Sequence, residues 1–438
     1  MSDKKKKILS TIIIICFVII VIEFILMAGY KLFRERNINR INSLTDIVKE
    51  DNHYIAVGMS DFHNSHFINE MFYDHTNTTT KRKENIIATQ ARIAKYDENY
   101  KVLWENTIKA KYDSAFYSVL ADDDGYVAVG SYVSKYEQLD NDTRDAIIVK
   151  YDKTGKMMWK NTYSVLSDTE FFKVIKDGDD YVAIGQSIYE NFEVGTHITG
   201  GGIIVRYNKK GEELAHNNYG GNKSGSFNDI ISVDDGFIVC GKDAVNFGIV
   251  LKFSKDFGRD ENDTGLISKK VIWDKSYSNT DNAGFSSMAL VNNTLYVVGA
   301  VNVSKDKDSE GNTLFKYDAG IAKYNLNGDY LGTFTLGEDT HHRFNSVTAS
   351  KDTLYLSLLL DVDSYYDGAK ENTDILKFDL ANEKILDRYS FKGDNDFVIN
   401  RIVNFNNKYM VVGTTNNSCT IRGCDYKPII NYYDKIKK

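Results

Sequence analysis

The sequence contains a single proline, Pro428, among its 438 residues. Proline-rich linkers and low-complexity tails are therefore excluded as large parts of the chain. Helical periodicity is also scarce after residue 45, where Tyr, Ile, Val and Phe are abundant. Because β-branched and aromatic residues favour strands, this composition predicts an all-β body.

A concentration of positive charge is missing as well. The formal net charge is −7 and the body contains no basic block, so a nucleic-acid partner is not expected. The chain is longer than an ordinary single domain, which indicates either several domains or an array of repeats.

A long apolar run occurs once, at residues 8–30, and it includes one charge, Glu23. At about 1.5 Å per residue this segment can cross a hydrocarbon core of about 30 Å. A cleaved signal peptide is the alternative, but cleavage after Ala28 would place Leu26 where a small residue is preferred. We therefore expect a signal anchor, with this division: cytoplasmic tail 1–7, transmembrane helix 8–30, juxtamembrane segment 31–40 and body 41–438.

One pattern recurs throughout the body. A short apolar strand ends in Gly, or once in Leu, and a large apolar residue, here named the anchor, stands at a constant spacing before that end. The anchors are Leu44, Phe116, Phe171, Phe227, Phe285, Phe344 and Ile399. The matching strand ends are Gly58, Gly130, Gly185, Gly241, Gly299, Leu358 and Gly413. Turn-forming residues lie between each pair, so every unit is predicted to begin with a hairpin of strands a and b.

A second hairpin follows in each unit. Its clearest copy is residues 145–160, where strand c ends in Lys-Tyr-Asp, a Gly-containing turn follows, and strand d begins. The strand c aromatic recurs as Tyr96, Tyr151, Tyr207, Phe253, Tyr324, Phe378 and Tyr433. The b–c connection varies from a few residues in the fourth unit to about residues 59–89 in the first.

Four short strands per unit cannot bury both faces of one sheet, so neighbouring units must stack. Seven such units predict a seven-bladed β-propeller of four-stranded blades, preceded by one transmembrane helix. A sandwich or two barrels is the alternative, which the regular spacing disfavours.

The strand pattern resembles the blades of WD-repeat and kelch-like propellers, although no Trp-Asp dipeptide repeats. Residues 152–159, Asp-Lys-Thr-Gly-Lys-Met-Met-Trp, are more similar to the repeat of pyrroloquinoline quinone enzymes and their non-catalytic relatives. Residues 41–438 are similar to membrane-anchored or secreted propellers of low-GC Gram-positive bacteria. This resemblance implies a bacterial cell-membrane protein with an extracytoplasmic propeller. The flanking charges do not choose an orientation, because the lysines at 4–7 are balanced by Lys31, Arg34, Arg36 and Arg40.

The seventh unit ends at residue 438, before any strand d. We expect residues 31–40 to supply this outer strand; an open three-stranded last unit is the alternative. Because successive strands alternate in direction, the a–b and c–d turns share one face, and the b–c and d–a connections share the other. With a closing strand arriving from the membrane, the variable face would point away from the bilayer.

No catalytic residue, cofactor site or metal site is predicted. His63, His66 and His75 lie in the first b–c connection without a regular ligand spacing, and the Asp-rich a–b turns match ordinary turn preferences better than a calcium loop. The basic residue before each strand c aromatic is expected to pack its stem against neighbouring units. Three strand d residues are expected to pack between units: Trp104, Trp159 and Trp273.

Two sets of residues remain as candidates. Cys419 and Cys424, in the last b–c connection, would form a disulfide outside the cytoplasm; two free thiols are the alternative. Aromatic residues in the variable connections lie beside Asn and Asp and suit a glycan or a peptide. They are Phe67, Phe72, Tyr73, Tyr132, Tyr136, Tyr189, Phe192, Tyr365 and Tyr366.

These observations favour a membrane-anchored scaffold that binds a protein or cell-envelope partner through its long b–c loops. The alternative is a quinoprotein-like or hydrolytic enzyme with a site in the central channel. The sequence lacks a Gly-x-Ser-x-Gly elbow, a His-Glu-x-x-His motif, a phosphate loop and the adjacent cysteines associated with quinoprotein alcohol dehydrogenases, so the enzyme is the less favoured function.

Overall fold

The structure is a computed structural model, and it describes most of the body in a series of separate ranges. The described residues are 43–60, 89–108, 110, 113–137, 141–165, 168–191, 196–219, 225–243, 248–258, 270–277, 284–307, 313–337, 342–360, 372–390, 397–405, 408–420 and 423–432. The expected tail 1–7, membrane segment 8–30 and juxtamembrane segment 31–40 lie outside them. Within the described ranges, no helix is long and apolar enough to cross a bilayer.

The described residues form 27 strands, which confirms the all-β expectation. The first three groups are β1 Ser43–Glu50, β2 His53–Ser60, β3 Gln90–Tyr96, β4 Val102–Thr107; β5 Ser114–Asp122, β6 Gly125–Glu137, β7 Asn141–Asp152, β8 Met157–Tyr163; β9 Asp168–Asp177, β10 Asp180–Asn191, β11 Thr196–Tyr207 and β12 Glu213–Tyr219. The next two are β13 Ser226–Val233, β14 Gly236–Lys242, β15 Gly248–Ser254, β16 Val271–Tyr277; β17 Gly284–Val291, β18 Thr294–Lys307, β19 Thr313–Asn325 and β20 Tyr330–Thr335. The last two are β21 Arg343–Ser350, β22 Thr353–Leu360, β23 Asn372–Asp379, β24 Lys384–Ser390; β25 Phe397–Phe405, β26 Lys408–Thr420 and β27 Gly423–Tyr432.

Consecutive strands pair antiparallel within these groups, in the predicted order a, b, c, d. Six groups have four strands, and the described part of the last has three. Two single parallel bridges, Arg144 with Asp168 and Asn372 with Phe397, join neighbouring groups. The two predicted hairpins of each unit are therefore present, except that no strand d of the last unit lies among the described residues.

The groups follow one another around a closed circuit. Each strand a contacts the strand a of the next group, and β25 contacts β1. The apolar core lies in layers between neighbouring groups; one layer joins Ile55 and Ile93 of the first group to Phe116 and Val149 of the second. Stacking of neighbours, rather than folding of each sheet alone, thus buries the apolar faces.

Every a–b hairpin contains a β-bulge directly after the anchor. Phe116, for example, lies opposite Gly130, while Ser118 lies opposite Val129, so Tyr117 is the extra residue. A bulge bends its strand and turns the extra side chain in a new direction. The extra residues are Thr45, Tyr117, Phe172, Asn228, Ser286, Asn345 and Asn400.

Four of these extra residues connect their group to the next one. Thr45 Oγ1 donates a hydrogen bond to the carbonyl oxygen of the next anchor, Phe116, at 2.7 Å. Asn400 Nδ2 donates to Leu44 O at 2.6 Å, which joins the last strand a to the first. Equivalent bonds run from Asn228 to Phe285 and from Asn345 to Ile399.

The backbone around the bulge lies close to the end of strand b, where six of the seven groups have glycine and the sixth, with the same bulge, has Leu358. A Cβ atom on Gly130 would lie 1.9 Å from the carbonyl oxygen of Ala115, and the other five strand-ending glycines meet strand a backbone equally closely. A side chain at these glycine positions would overlap backbone atoms of strand a, which cannot move aside as the end of a flexible side chain could.

Replacing Gly130 by Ala should therefore lower the free energy of unfolding by about 1–3 kcal/mol, as overpacking does. The measurement is urea unfolding of the full-length protein. Gly284→Ala is the matched control, because its nearest neighbour would be the Lys242 Cβ at 3.7 Å. Equal losses in the two variants would contradict this explanation of the glycine.

Candidate functional site

A ring of polar side chains lies on the strands a that contact one another around the circuit. Each member is the second residue after an anchor, just beyond the bulge. The members of this inner ring are Asp46, Ser118, Lys173, Asp229, Ser287, Ser346 and Arg401. This inner ring is not among the sites predicted from the sequence. The signal was present, since a polar residue recurs at one fixed position after every anchor.

Asp46 is the most densely bonded member of the inner ring. Its Oδ2 atom accepts hydrogen bonds from Ser118 Oγ at 2.8 Å and from Lys173 Nζ at 3.1 Å. The backbone N–H of Val119 donates to the same oxygen at 3.3 Å. Three strands a therefore meet at one buried carboxylate, which is 3% exposed.

Asp229 makes the matching contacts in the fourth group. It accepts hydrogen bonds from Ser287 Oγ at 2.8 Å and from the Met288 N–H at 3.0 Å. The Arg401 guanidinium lies 3.8 Å from Asp229 and 3.8 Å from Asp46. Arg401 thus connects strands a of the seventh, first and fourth groups, which are not neighbours along the chain.

The four charges of the inner ring balance one another. Burial raises the pKa of Asp46, but Lys173 and Arg401 outweigh this effect and hold the pKa below its ordinary value. Burial lowers the pKa of Arg401, and the two carboxylates more than restore it. Asp46 therefore stays ionised near neutral pH, so that it accepts hydrogen bonds and carries no proton to donate. Such a self-neutralised set stabilises the strands and is poorly suited to general acid catalysis.

The variable b–c connections differ from the sequence prediction. Four of them were predicted as loops but continue as paired strands: β6–β7, β10–β11, β18–β19 and β26–β27. Their ladders end at the pairs Glu137–Asn141, Asn191–Thr196, Lys307–Thr313 and Thr420–Gly423. Strands β6 and β18 reach 13 and 14 residues, whereas β2 and β14 have 8 and 7. We name these four extensions the long hairpins.

The predicted binding aromatics fall into two classes. Tyr132 and Tyr136 lie on β6 and Tyr189 lies on β10, so these three are on strands of long hairpins and not on loops. The ammonium of Lys160 lies 4.5 Å from the Tyr132 ring centroid. The remaining candidates lie outside the described residues: Phe67, Phe72, Tyr73, Phe192, Tyr365 and Tyr366.

A buried carboxylate holds the bases of the first two long hairpins together. Glu170 Oε1 accepts hydrogen bonds from Arg144 Nη1 of β7 at 3.0 Å and from the Tyr117 hydroxyl at 3.2 Å. Its Oε2 atom accepts one from Gln186 Nε2 of β10 at 2.9 Å. Burial lowers the pKa of the Arg144 guanidinium, and Glu170 raises it above its ordinary value overall. The two hairpins thus leave the body from a fixed, charge-paired base.

The two cysteines of the predicted disulfide are directly opposite each other in the last long hairpin, Cys419 on β26 and Cys424 on β27. Opposed residues of an antiparallel pair have Cα atoms about 4.5–5.5 Å apart, within the range that a disulfide spans. The register is compatible with the bond, and the bond itself remains a prediction.

The basic residue before the strand c aromatic does more than pack its stem. Lys150 is 1% exposed, and its Nζ atom lies 2.5 Å from Asp122 at the end of β5. It also donates to the Tyr181 hydroxyl of the next group at 2.7 Å. The Asp-rich turn is therefore an ion-pairing element and not only a turn. Two other groups repeat this three-part contact, with Glu50, Lys95 and Tyr126, and with Asp177, Arg206 and Phe237.

The strand d tryptophans pack between groups, as expected. The Trp159 Nε1 atom donates to the Lys209 carbonyl at 3.0 Å, and Trp273 makes the equivalent bond to Leu326. A Cβ atom on Gly155, whose φ is +86°, would lie 2.7 Å from the Trp104 ring. The turn glycine of residues 145–160 thus serves both the backbone conformation and this contact.

The predicted histidines contribute no described site. His63, His66 and His75 lie outside the described residues. In the part of the chain that the structure covers, no group of three His, Cys, Asp or Glu side chains is arranged to hold a metal ion.

Replacing Lys150 by Met should lower the free energy of unfolding by about 1–3 kcal/mol, because Asp122 would lose its buried cation and keep only the partly exposed Lys176. Urea unfolding of the full-length protein at neutral pH measures this. The control is Lys156→Met on the exposed neighbouring turn, with an expected change below about 0.5 kcal/mol. A loss at position 150 no larger than at position 156 would show that the pair is not structural.

Replacing Arg401 by Met should make the protein more sensitive to acid. The folded pKa of Asp46 is depressed, so its contribution is present above the unfolded pKa of about 3.9 and is lost as pH falls through the folded value. Without the Arg401 cation the folded pKa rises, and the acid unfolding midpoint should move to higher pH. Intrinsic fluorescence between pH 7 and pH 2 reports the midpoint, with Lys384→Met as an exposed control. An unchanged midpoint would contradict the role assigned to Arg401.

No protein-family model matches the chain, and no curated protein matches it either. Solved structures resemble it at low identity. The Chaetomium thermophilum Sqt1 bound to the N-terminus of ribosomal protein L10 is 9% identical, with 86% of this chain and 85% of that chain covered and a TM-score of 0.47. The WD40 domain of Neurospora crassa Pan2 is 10% identical, with 84% and 86% covered and a TM-score of 0.45. A 6-phosphogluconolactonase-type protein from Bacteroides fragilis is 10% identical, with 89% and 96% covered and a TM-score of 0.46. At these values the similarity assigns no activity, ligand or partner to this all-β chain.

Proposed function

We propose that the chain is a bacterial, membrane-anchored β-propeller that binds a protein or cell-envelope partner on the face of its long hairpins. Residues 8–30 form the single-pass anchor, and the propeller lies outside the cytoplasm. The observation that carries the proposal is the set of four paired hairpins of unequal length that extend one side of an otherwise regular body.

The number of blades is proposed as seven. Support comes from the six groups of four strands, the last group of three, and the contact of β25 with β1. In each of the six complete groups, one strand d residue lies opposite the basic residue of strand c, as Trp104 lies opposite Lys95. This strand d residue stands the same number of positions before the next anchor in every group, as Trp104 does before Phe116. Leu32 precedes Leu44 by the same spacing. Residues 31–40 therefore have the right place in the sequence to supply the outer strand of the seventh blade.

The binding role is supported by the construction of the hairpins. Strand β6 continues past Gly130 from Ser131 to Glu137, or about 20 Å at about 3.3 Å per residue. A hairpin whose two strands are hydrogen-bonded along their length is already ordered, so a partner that binds it avoids much of the entropy cost of ordering a loop. Binding residues on rigid scaffolds usually lie on such variable connections.

A site-specific photocrosslinker tests the proposal in the cells that naturally produce the protein. Benzoylphenylalanine at position 136 or 189, on two long hairpins, should give a discrete adduct with one partner. The same group in place of Tyr330, which is 51% exposed at the start of strand d on the other face, should not give that adduct. Equal adducts from both faces would overturn the assignment of the binding face.

A shortened hairpin provides the matched variant. Replacing residues 134–143 by Asn-Gly joins Val133 to Arg144, which are already opposite each other, through a two-residue turn. The Arg144–Glu170 base is kept, so the unfolding midpoint should stay unchanged while the adduct from position 189 weakens if the two hairpins bind together. Retention of the full adduct would remove β6–β7 from the binding surface.

A further inference from the structure

A second set of bulges lies on the outer edge of the body. In all six described strands d, the register with strand c shifts near the start of the strand, as between Lys95 and Tyr96 opposite Trp104 and Val102. The extra residue is apolar in every case. We name these residues the rim: Leu103, Met158, Leu214, Ile272, Leu331 and Leu386.

The rim is unusually exposed for residues of its type. Ten large hydrophobic side chains are exposed among the described residues, and all of them except Val165 lie at the start of a strand d. Rim residues range from 47% exposed at Leu386 to 53% at Leu214. Single exposed apolar residues are ordinary, but one at the same register position of every complete group is not.

Position in the repeat places the rim at one level of the body. Every rim residue stands the same number of positions before the next anchor, as Leu103 does before Phe116. Each also follows shortly after a c–d turn, and these turns lie on the face opposite the long hairpins. In a closed ring of equivalent units, such residues lie in one plane around the perimeter. A globular partner would cover one or two of them, whereas a flat surface meets all six at once.

Charges of both signs stand beside the rim. Exposed lysines stand directly before or at the start of three of the six strands d, as Lys101, Lys156 and Lys384, and exposed acidic residues stand there in three, as Glu213, Asp329 and Glu383. One aspartate in each of two of these turns accepts hydrogen bonds from the turn backbone. Asp97 accepts hydrogen bonds from the Asn99 and Lys101 N–H groups, and Asp152 accepts the equivalent two from Thr154 and Lys156. Apolar residues beside lysines are typical of segments at the headgroup boundary of a bilayer.

The end of the apolar run has an equivalent position in the sequence spacing of the repeat. Tyr30 precedes Leu44 by the same spacing as Val102 precedes Phe116, so it corresponds to the residue directly before a rim residue. We propose that the rim rests on the headgroup–acyl boundary of the bilayer that holds residues 8–30, with its lysines against anionic lipid phosphates. This inference rests on the proposed anchor and deepens it, because it assigns the whole c–d turn face to the membrane surface.

Fluorescence quenching in liposomes tests the contact. The full-length protein carries one cysteine at Met158 with an NBD label, with Cys16, Cys419 and Cys424 replaced by Ala and the buried Cys240 kept. The liposomes contain phosphatidylcholine and phosphatidylglycerol, with or without bromine on the upper acyl carbons. Roughly half of the emission should be lost to bromine, because interfacial groups lie about 5–10 Å into the headgroup–acyl boundary.

The chain offers a close control in the same group. Val165 is also an exposed apolar residue, at 38%, but lies in the d–a connection on the opposite face. A label on Val165→Cys should keep its emission in brominated lipid. The substitution Leu331→Cys, half the ring away, should behave like Met158→Cys.

The outcomes separate this inference from the anchor. A protein that does not float with the liposomes overturns both. A protein that floats but whose label at Met158 is quenched no more than the label at Val165 overturns only the rim contact. Blue-shifted but unquenched emission at Met158 also overturns it, and points to a second protein chain as the cover.

Discussion

The bulge that follows each anchor is the constraint on which the rest of the structure depends. One extra residue bends strand a and brings the following polar residue into the inner ring, and in four of the seven groups it is a Thr or Asn that bonds to the next strand a. The same bend brings a carbonyl oxygen close to the end of strand b, where six of the seven groups have Gly. Three features of the repeat that look separate in the sequence therefore have one geometric cause.

The packed body and the long hairpins differ in how tightly their residues are constrained. Inside, charges are neutralised locally: Asp46 and Asp229 by Lys173 and Arg401, and Asp122 by Lys150. Buried pairs of this kind penalise any arrangement that separates the partners, so they favour one order of stacking. Outside, the long hairpins share only their bases with this network. Their tips are free to differ between units without disturbing the stack, as expected of a surface that carries specificity.

The sequence predicted the strands well because each was marked by a local signal. The constant spacing from Phe116 to Gly130 is the a–b ladder itself, and the Lys-Tyr-Asp of strand c marks the second hairpin. Contacts between units had no such signal. The pairing of Lys150 with Asp122 joins residues 28 positions apart, and Arg401 meets Asp46 only when the circuit closes. The long hairpins were missed for another reason: their outer parts, such as residues 134–143, are mostly polar, so the regular alternation that identifies a half-buried strand is absent there.

The hydrogen bond from Asn400 to Leu44 has a consequence for how the chain acquires its structure. It joins residues 356 positions apart, whereas the equivalent bond from Thr45 to Phe116 spans 71. Closing the longer loop costs only about 1.4 kcal/mol more in chain entropy, so the difference hardly affects equilibrium. It does affect the order in which the interfaces between groups form. The other interfaces can form one after another as the chain is synthesised, but the first strand must keep its exposed edge until β25 has emerged.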